Sequence, residues 1–433
     1  MLRRIRIAFK ALRHRNLRLF FTGQGISLVG TWMQQVAMGW LVYRLTDSAL
    51  FLGVISFCAQ FPGFIMAPLA GAWADRWNRY RMVVVAQTLS MVQAVALAVL
   101  VIYGTVAVWH LIVLAVAMGL INGVDVPARQ SLLVELVGGV EDLPNAIALN
   151  SSLFNAARLV GPALGGLLIG WVGEGPVFVV NAVSYAAVLG ALAMLQVSNQ
   201  PGGAAGPVLQ HIREGFAYAY RSAPLRDTLI VLAVVSLVGI PYVVLLPVFA
   251  RDVLGGDAST LGLLTSAAGL GSLVGALILA SRSSLRGLGR LIAVSTAVFS
   301  VTLIGFALSR NLVMSLILLA VTGVAIMLCT ASINTVLQTL VKEEMRGRVM
   351  ALYTMAFVGM TPIGGLAGGA IADRVGAPIA VVAGGLGSLV LAIWFWRRLP
   401  DLREIVTPVY EELGIIPEVA RGLQGASDLR PRT

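Results

Sequence analysis

The chain has little charge. Asp, Glu, Lys and Arg make up 12% of its 433 residues, against 58% that are hydrophobic. A soluble globular domain carries about twice that share of charge, and a mean hydropathy of +0.88 leaves too little polar surface to solvate one. Cysteine is nearly absent: Cys58 and Cys329 lie in separate apolar runs without CxxC or metal-ligand spacing, and read as small packing residues. Histidine is equally scarce. His14, His110 and His211 fall in three distant segments, and neither an HExxH helix, a nucleophile with its base, nor a nucleotide-binding P-loop is present. No enzyme, metal site, cofactor or ATP-driven engine is therefore expected.

What the chain does have is a dozen long apolar runs, over residues 19–43, 49–74, 82–103, 107–127, 144–170, 175–197, 228–250, 259–281, 288–308, 312–340, 349–372 and 377–396. Each reaches or approaches the roughly 20 residues that cross about 30 Å of hydrocarbon. An all-α membrane protein with twelve transmembrane helices follows, with no room for strands. The basic residues fall between alternate runs. Arg3 to Arg18, Arg76 to Arg81, Arg129, Arg213 to Arg226, Arg282 to Arg290, Lys342 to Arg348 and Arg397 to Arg432 hold 26 of the 31 Lys and Arg, whereas the intervening segments hold Arg44, Arg251, Arg310 and Arg374. The positive-inside rule then puts both termini in the cytoplasm of a plasma (inner) membrane. The net charge of +11 is segregated as a bilayer demands, so nucleic acid is not expected as a partner. The basic N-terminus leads into an apolar run longer than a signal h-region, and the first helix is expected to remain as an anchor.

The longest interior hydrophilic segment, 198–227, opens with Gly, Ala and Pro and continues with Ile212, Phe216, Ala219 and Tyr220 at helical spacing, which predicts a linker followed by a short interfacial amphipathic helix. It separates an N-terminal six-helix bundle (1–197) from a C-terminal one (228–397). A tail (398–433) is expected to be disordered, or to form one short helix near Val409 to Leu413. The bundles echo each other, because Pro162 and Gly165 return as Pro362 and Gly365, and Gly71 as Gly275. Two pseudo-symmetric six-helix repeats in parallel orientation match one large class of transporters.

The turn after the second run reads Gly71, Ala72, Trp73, Ala74, Asp75, Arg76, Trp77, Asn78, Arg79, Tyr80, Arg81 and resembles the signature loop of the major facilitator superfamily. Gly71, Asp75, Arg76 and Arg79 match it. Asn78 stands where the family has a second glycine, a position at which Asn tolerates a left-handed backbone, and Arg81 supplies the charge that Tyr80 lacks. The resemblance implies the major facilitator fold and a conformational gate, in which Asp75 locks the halves in one state and Arg79 reaches Asp125 on the fourth helix. A solvated turn of positive-inside charge would explain the same residues. On the fifth helix, Gly161, Pro162, Ala163, Leu164, Gly165 and Gly166 are similar to the G-P-x-x-G-G element of facilitator antiporters, with Ala148 and Ala157 where that family has further glycines. Glycine permits close helix approach and proline frees a carbonyl so the helix can bend, as in any membrane-helix kink. The stretch from Pro127 to Arg158 is similar to the branch that includes enterobactin exporters and macrolide efflux proteins, a likeness covering about residues 10 to 400.

Arg158 is the one cation deep in a run, where it costs at least about 2.5 kcal/mol on insertion scales. It shares a helical face with Ser151, Asn155 and Pro162, and meets either an anionic substrate group or polar neighbours. Gln24, Ser27, Thr31, Gln34 and Met38 make a polar stripe on the first helix, explained by a water-filled cavity or by helix-to-helix hydrogen bonds. Asn334 and Gln338 form a comparable face on the tenth helix, and Tyr242 and Tyr353 add aromatic surface. An amphiphilic pocket is expected. The function implied is a secondary active transporter exporting small amphiphilic molecules (drugs, siderophores or metabolites) by alternating access, with proton antiport implied by the resemblance; a lipid or lysolipid flippase of the same fold is the alternative. Expected partners are a small amphiphilic substrate, protons and membrane lipid, and the chain is expected to act as a monomer.

Overall fold

The computed structural model describes residues 10–137, 142–195, 208–282 and 285–412. They fold into helices with no strand among them: α1 Arg15–Thr46, α2 Ala49–Arg76, α3 Arg79–Ile102, α4 Val108–Val137, α5 Leu143–Val172, α6 Glu174–Ala193, α7 Val208–Arg221, α8 Ala223–Val253, α9 Ala258–Ala280, α10 Leu288–Leu308, α11 Leu312–Leu340, α12 Glu343–Val375 and α13 Ala377–Glu412. Eleven are long and apolar enough to cross a membrane. The twelfth span is α1, 32 residues long, whose polar stripe dilutes its hydrophobicity. Short π-helical turns at Val235–Gly239, Phe249–Val253 and Met355–Gly359 let α8 and α12 bend without breaking.

Caps set several helix starts. Asn311 accepts the Met314 amide at the head of α11, and Asp257 and Thr260 form a capping box on α9. Asn78 departs from its expected role. Its backbone is extended, with φ −65°, and its side chain accepts the Arg81 amide, so it caps α3 instead of replacing a left-handed glycine.

The amphipathic helix expected after the linker is α7, with Phe216 and Tyr220 exposed and Arg221 in its last turn. The seventh span begins earlier than expected, at Ala223, because Pro224 falls in the first turn, where a missing amide hydrogen costs nothing. The tail expected after Arg398 also needs correction. α13 is one helix of 36 residues that runs through Pro400 and Pro408. Arg398 binds Asp227 of α8 at 3.3 Å and Asp401 at 3.2 Å, and Leu402 and Tyr410 are buried, so tertiary contacts carry the helix past the apolar run. Residues 413–433 of the expected tail, 198–207 of the expected linker and 196–197 before it lie outside the described residues.

In the first bundle α2 packs on α4, and α1 on both α5 and α6; in the second, α9 and α10 pack on α11, and α10 on α13. The bundles meet in two crossings, α5 against α9 and α2 against α12. Each pairs the fifth helix of one bundle with the second of the other, which is the two-fold relation implied by the sequence repeats. Glycine makes both crossings close. A Cβ on Gly166 would come within 2.5 Å of the Ala258 carbonyl oxygen and 2.9 Å of the Gly262 Cα, and one on Gly53 within 2.7 Å of the Gly365 carbonyl oxygen.

Candidate substrate cavity and gates

The polar bonds between the bundles are unevenly placed. At the Arg-poor end, Ser48 at the head of α2 donates to Asp373 of α12 (2.7 Å), and Arg251 of α8 pairs with Asp47 at the end of α1 (2.6 Å). The Arg251 guanidinium also stacks 5.6 Å from the Tyr43 ring, and the Tyr43 hydroxyl donates to Asp252. Deeper along α5, Ser259 donates to the Gly166 carbonyl (3.4 Å) and Ser266 to the Leu159 carbonyl (2.8 Å). Among the described residues, every side-chain hydrogen bond or ion pair joining α1–α6 to α8–α13 lies between this level and the Arg-poor end. Among the described residues, the side-chain bonds between the halves thus form a latch at the Arg-poor end.

Arg158 sits where the latched part begins. A Cβ on Gly269 of α9 would lie 3.0 Å from its carbonyl oxygen, and its guanidinium stands 5.8 Å from the centre of the Trp32 ring. Phe154, exposed, meets Trp32 edge-on at 5.7 Å. Asn155, on the same stripe, donates to the Ser151 carbonyl (2.8 Å). From the second bundle, the Tyr242 hydroxyl lies within electrostatic reach of Arg158, although Tyr242 is buried edge-on against Phe299 (6.4 Å). Gln338 is exposed and donates to Asn334, and Tyr353 bonds the Thr330 carbonyl (3.4 Å) while stacking on Phe357.

Two side chains with a place here carried no sequence signal of their own. Gln60 of α2 is exposed in mid-helix, in register with Ser56 and Phe64, which face Gly365 and Gly359 of α12 across the crossing. Trp32 reads in sequence as one more apolar residue, yet it supplies the aromatic face beside Arg158.

The α1 stripe resolves toward its second explanation. Gln24, Ser27 and Gln34 are buried within the first bundle, where Gln34 donates to Gln93 (3.0 Å), accepts from Asn181 (2.7 Å), and Thr31 lies 3.4 Å from the Tyr185 hydroxyl. Gln34 and Thr31 thus serve hydrogen bonds between helices, whereas Gln24 is buried with its Oε1 unpartnered among the described residues. Spacing along one helix says that a face avoids lipid, not which neighbour it meets.

The expected pairing of Arg79 with Asp125 is also corrected. Arg79 binds Glu135 at 2.6 Å, whereas Asp125 is held by Arg129 (3.1 Å) and Gln87 (2.9 Å). Arg79 is the first residue of α3 and faces the last turns of the antiparallel α4; Asp125 lies ten residues, about 15 Å, deeper. Glu135 was hidden because the apolar run stops at Pro127, while α4 continues through it to Val137. Gly71, Asp75 and Arg76 form the last turns of α2, and their side chains lie outside the described residues. In the G-P-x-x-G-G element, Gly161 and Gly165 abut Trp32 and Met33 of α1, and Gly166 abuts α9, so the element serves packing on both sides of α5.

At the Arg-rich end, Asp142 precedes α5 and gathers Lys10 (2.9 Å), Arg13 (2.7 Å) and His14 (3.0 Å). The hydrogen bonds from His14 and Lys10 hold its carboxyl down at about 2. Glu214 of α7 binds Arg348 of α12 (2.7 Å), tying the interfacial helix to the second bundle.

Over residues 7–411 the chain matches the family described as the transmembrane secretion effector. It is 30% identical over 399 residues to the multidrug efflux pump Tap of Mycolicibacterium fortuitum, covering 88% of this chain and 93% of that one. It is 24% identical over 383 residues to the staphyloferrin A transporter of Staphylococcus aureus, covering 88% and 95%. Among solved structures, the nucleoside transporter NupG shares the fold with a TM-score of 0.70 at 13% identity, covering 89% of this chain and 99% of that one. A bacterial homolog of the human lysosomal transporter Spinster, in an inward-facing and unoccupied conformation, shares it with a TM-score of 0.63 at 16% identity, covering 92% and 98%. With its two crossed six-helix bundles, the chain belongs to the transmembrane secretion effector family of the major facilitator superfamily, and is a membrane transporter, not an enzyme.

Proposed function

We propose that this transporter exports small amphiphilic molecules by alternating access, with its Arg-rich face in the cytoplasm and protons moving in exchange. The observation that carries the reading is the latch: among the described residues, the polar bonds that join the bundles run from the level of Arg158 to the Arg-poor end. With the Arg-rich face cytoplasmic, this is an inward-open state. Relatives named for multidrug efflux and siderophore transport favour export of varied cargo. The half-exposed surface of Trp32, Phe154, Asn155, Gln338 and Tyr353 offers both apolar and hydrogen-bonding contacts, as an amphiphilic cargo requires. Exchange with protons is supported by the likeness of Gly161 to Gly166 to the antiporter element. Gly71, Asp75, Arg76 and Arg79 form the gate of the opposite state, and here Arg79 pairs with Glu135 within its own bundle.

Reconstitution into liposomes tests this. Naphthalene-2-sulfonate, naphthalene-2-sulfonamide and ethidium span anionic, neutral and cationic amphiphiles. At least one should move faster than in protein-free vesicles, and faster still under an imposed pH gradient. Movement of none would overturn the transport reading, and movement indifferent to the gradient would overturn proton exchange. Asp75→Asn should fold normally and transport less; unchanged transport would remove the gate.

A further inference from the structure

We propose that the cargo carries an anionic group, a carboxylate, sulfonate or phosphate, held by Arg158 at the level where the bundles meet; this rests on the transport reading above and names the class of molecule it serves. The cations near the described carboxylates are already engaged. Arg129 holds Asp125, Arg79 holds Glu135, Arg44 holds Glu174 at 2.8 Å, Arg348 holds Glu214, and Arg226 and Arg398 share Asp227. Arg158 is different. In the middle of α5, its guanidinium has neither an ion pair nor a hydrogen bond among the described residues, and its close charged-group contact is the Trp32 ring.

A guanidinium offers five donors in a planar fork that matches carboxylate and phosphate oxygens two at a time, and an aromatic face satisfies none of them. Inside a membrane protein such a group is costly and tends to mark the path of a charged ligand. The surroundings suit an amphiphile. Trp32 and Phe154 present an aromatic corner beside the guanidinium, fit for a flat apolar body.

The placement also explains how cargo would be sensed. The Leu159 carbonyl, one residue on, accepts from Ser266 of the other bundle, and the Arg158 carbonyl abuts Gly269. An anion on Arg158 would therefore be held by a residue whose own backbone packs on the other half.

The probes are the isosteric pair naphthalene-2-sulfonate, a permanent anion, and naphthalene-2-sulfonamide, which is neutral. Binding is read by calorimetry on purified protein and transport in liposomes, with size-exclusion elution and helical circular dichroism confirming the fold of each variant. The wild type should bind and move the sulfonate at least about tenfold better than the sulfonamide. Arg158→Gln should erase that preference, and Arg158→Lys should keep part of it, since the charge survives without the fork. Equal handling of the pair by wild type, or a preference that survives in Arg158→Gln, would overturn the proposal while leaving transport of ethidium or the sulfonamide intact as evidence for the broader reading. An anionic lipid is the other source of the same chemistry. Translocation of fluorescent phosphatidylglycerol that depends on Arg158, with no binding of the sulfonate, would overturn a soluble cargo and assign the anion to lipid.

Discussion

Arg251 and Asp47 pair at 2.6 Å across the two bundles, and Asp47 makes that contact from a left-handed backbone conformation, with φ 48°. Both side chains are well exposed, so the pair is a weak clasp: surface ion pairs contribute about 0 to 1 kcal/mol. A weak clasp suits a transporter that must open this end in every cycle. Arg251→Ala also removes the stacking on Tyr43, and is expected to raise the population open at the Arg-poor end by roughly two- to fivefold. Distance distributions between spin labels at Tyr103 and Arg310, both exposed at that end, check it; an unchanged distribution would show that the clasp does not bias the state.

Closure itself depends on backbone proximity at Gly166. A valine there would drive its Cβ into the Ala258 carbonyl and the Gly262 Cα. Overpacking of this kind costs about 1 to 3 kcal/mol, enough to shift the seam on the order of tenfold or more toward separation. Gly166→Val should lengthen the same label distances and depress transport, with normal expression. Full transport in this variant would mean that the α5–α9 crossing need not close.

Gln34 gives a test that separates scaffold from cavity. Gln34→Leu leaves Gln93 and Asn181 without their shared partner. Hydrogen bonds between membrane helices are worth about 0.6 kcal/mol on average and up to about 1.7, so a stability loss of roughly 1 to 2 kcal/mol is expected, with the cargo profile unchanged. Thermal unfolding in detergent measures the first and competition among probes the second. A changed profile at unchanged stability would return Gln34 to the cavity.

Asp142 predicts an acid sensitivity. Its carboxyl is lowered from the ordinary 3.8 to about 2, chiefly by His14 and then Lys10. A lowered carboxyl stabilises the folded state fully above its unfolded value, and that contribution fades as pH falls from about 3.8 through about 2. The docking of residues 10 to 14 on the head of α5 should therefore be pH-independent near neutrality and loosen only across that acid window. Asp142→Asn should loosen it at every pH. Hydrogen exchange of the segment at pH 7 in the two proteins reads the difference, and equal protection would show that the cluster does not hold the segment.

Much of the architecture was legible because bilayer physics writes it coarsely. Twelve apolar runs with arginine at alternate ends mark the spans and their alternating direction, and the return of Pro162 and Gly165 as Pro362 and Gly365 marks the two halves. Helix ends were harder. The apolar runs end at residues 127 and 396, yet the helices continue through Pro127 and Pro400, and the extra turns of α4 bring in Glu135 as the partner of Arg79. The candidate site was legible only where a residue is unusual for its depth, as Arg158 is. Gln24, Ser27 and Gln34 signal a face that avoids lipid, and the direction of that face depends on α3 and α6, which spacing within α1 cannot report.

The two crossings are built from main chain on main chain, at Gly166 with Gly262 and at Gly53 with Gly365. At these two points the seam has no side chains to lose, so substitutions elsewhere leave its closest approaches in place. A fixed backbone seam of this kind lets the residues around Arg158 change while the frame is kept.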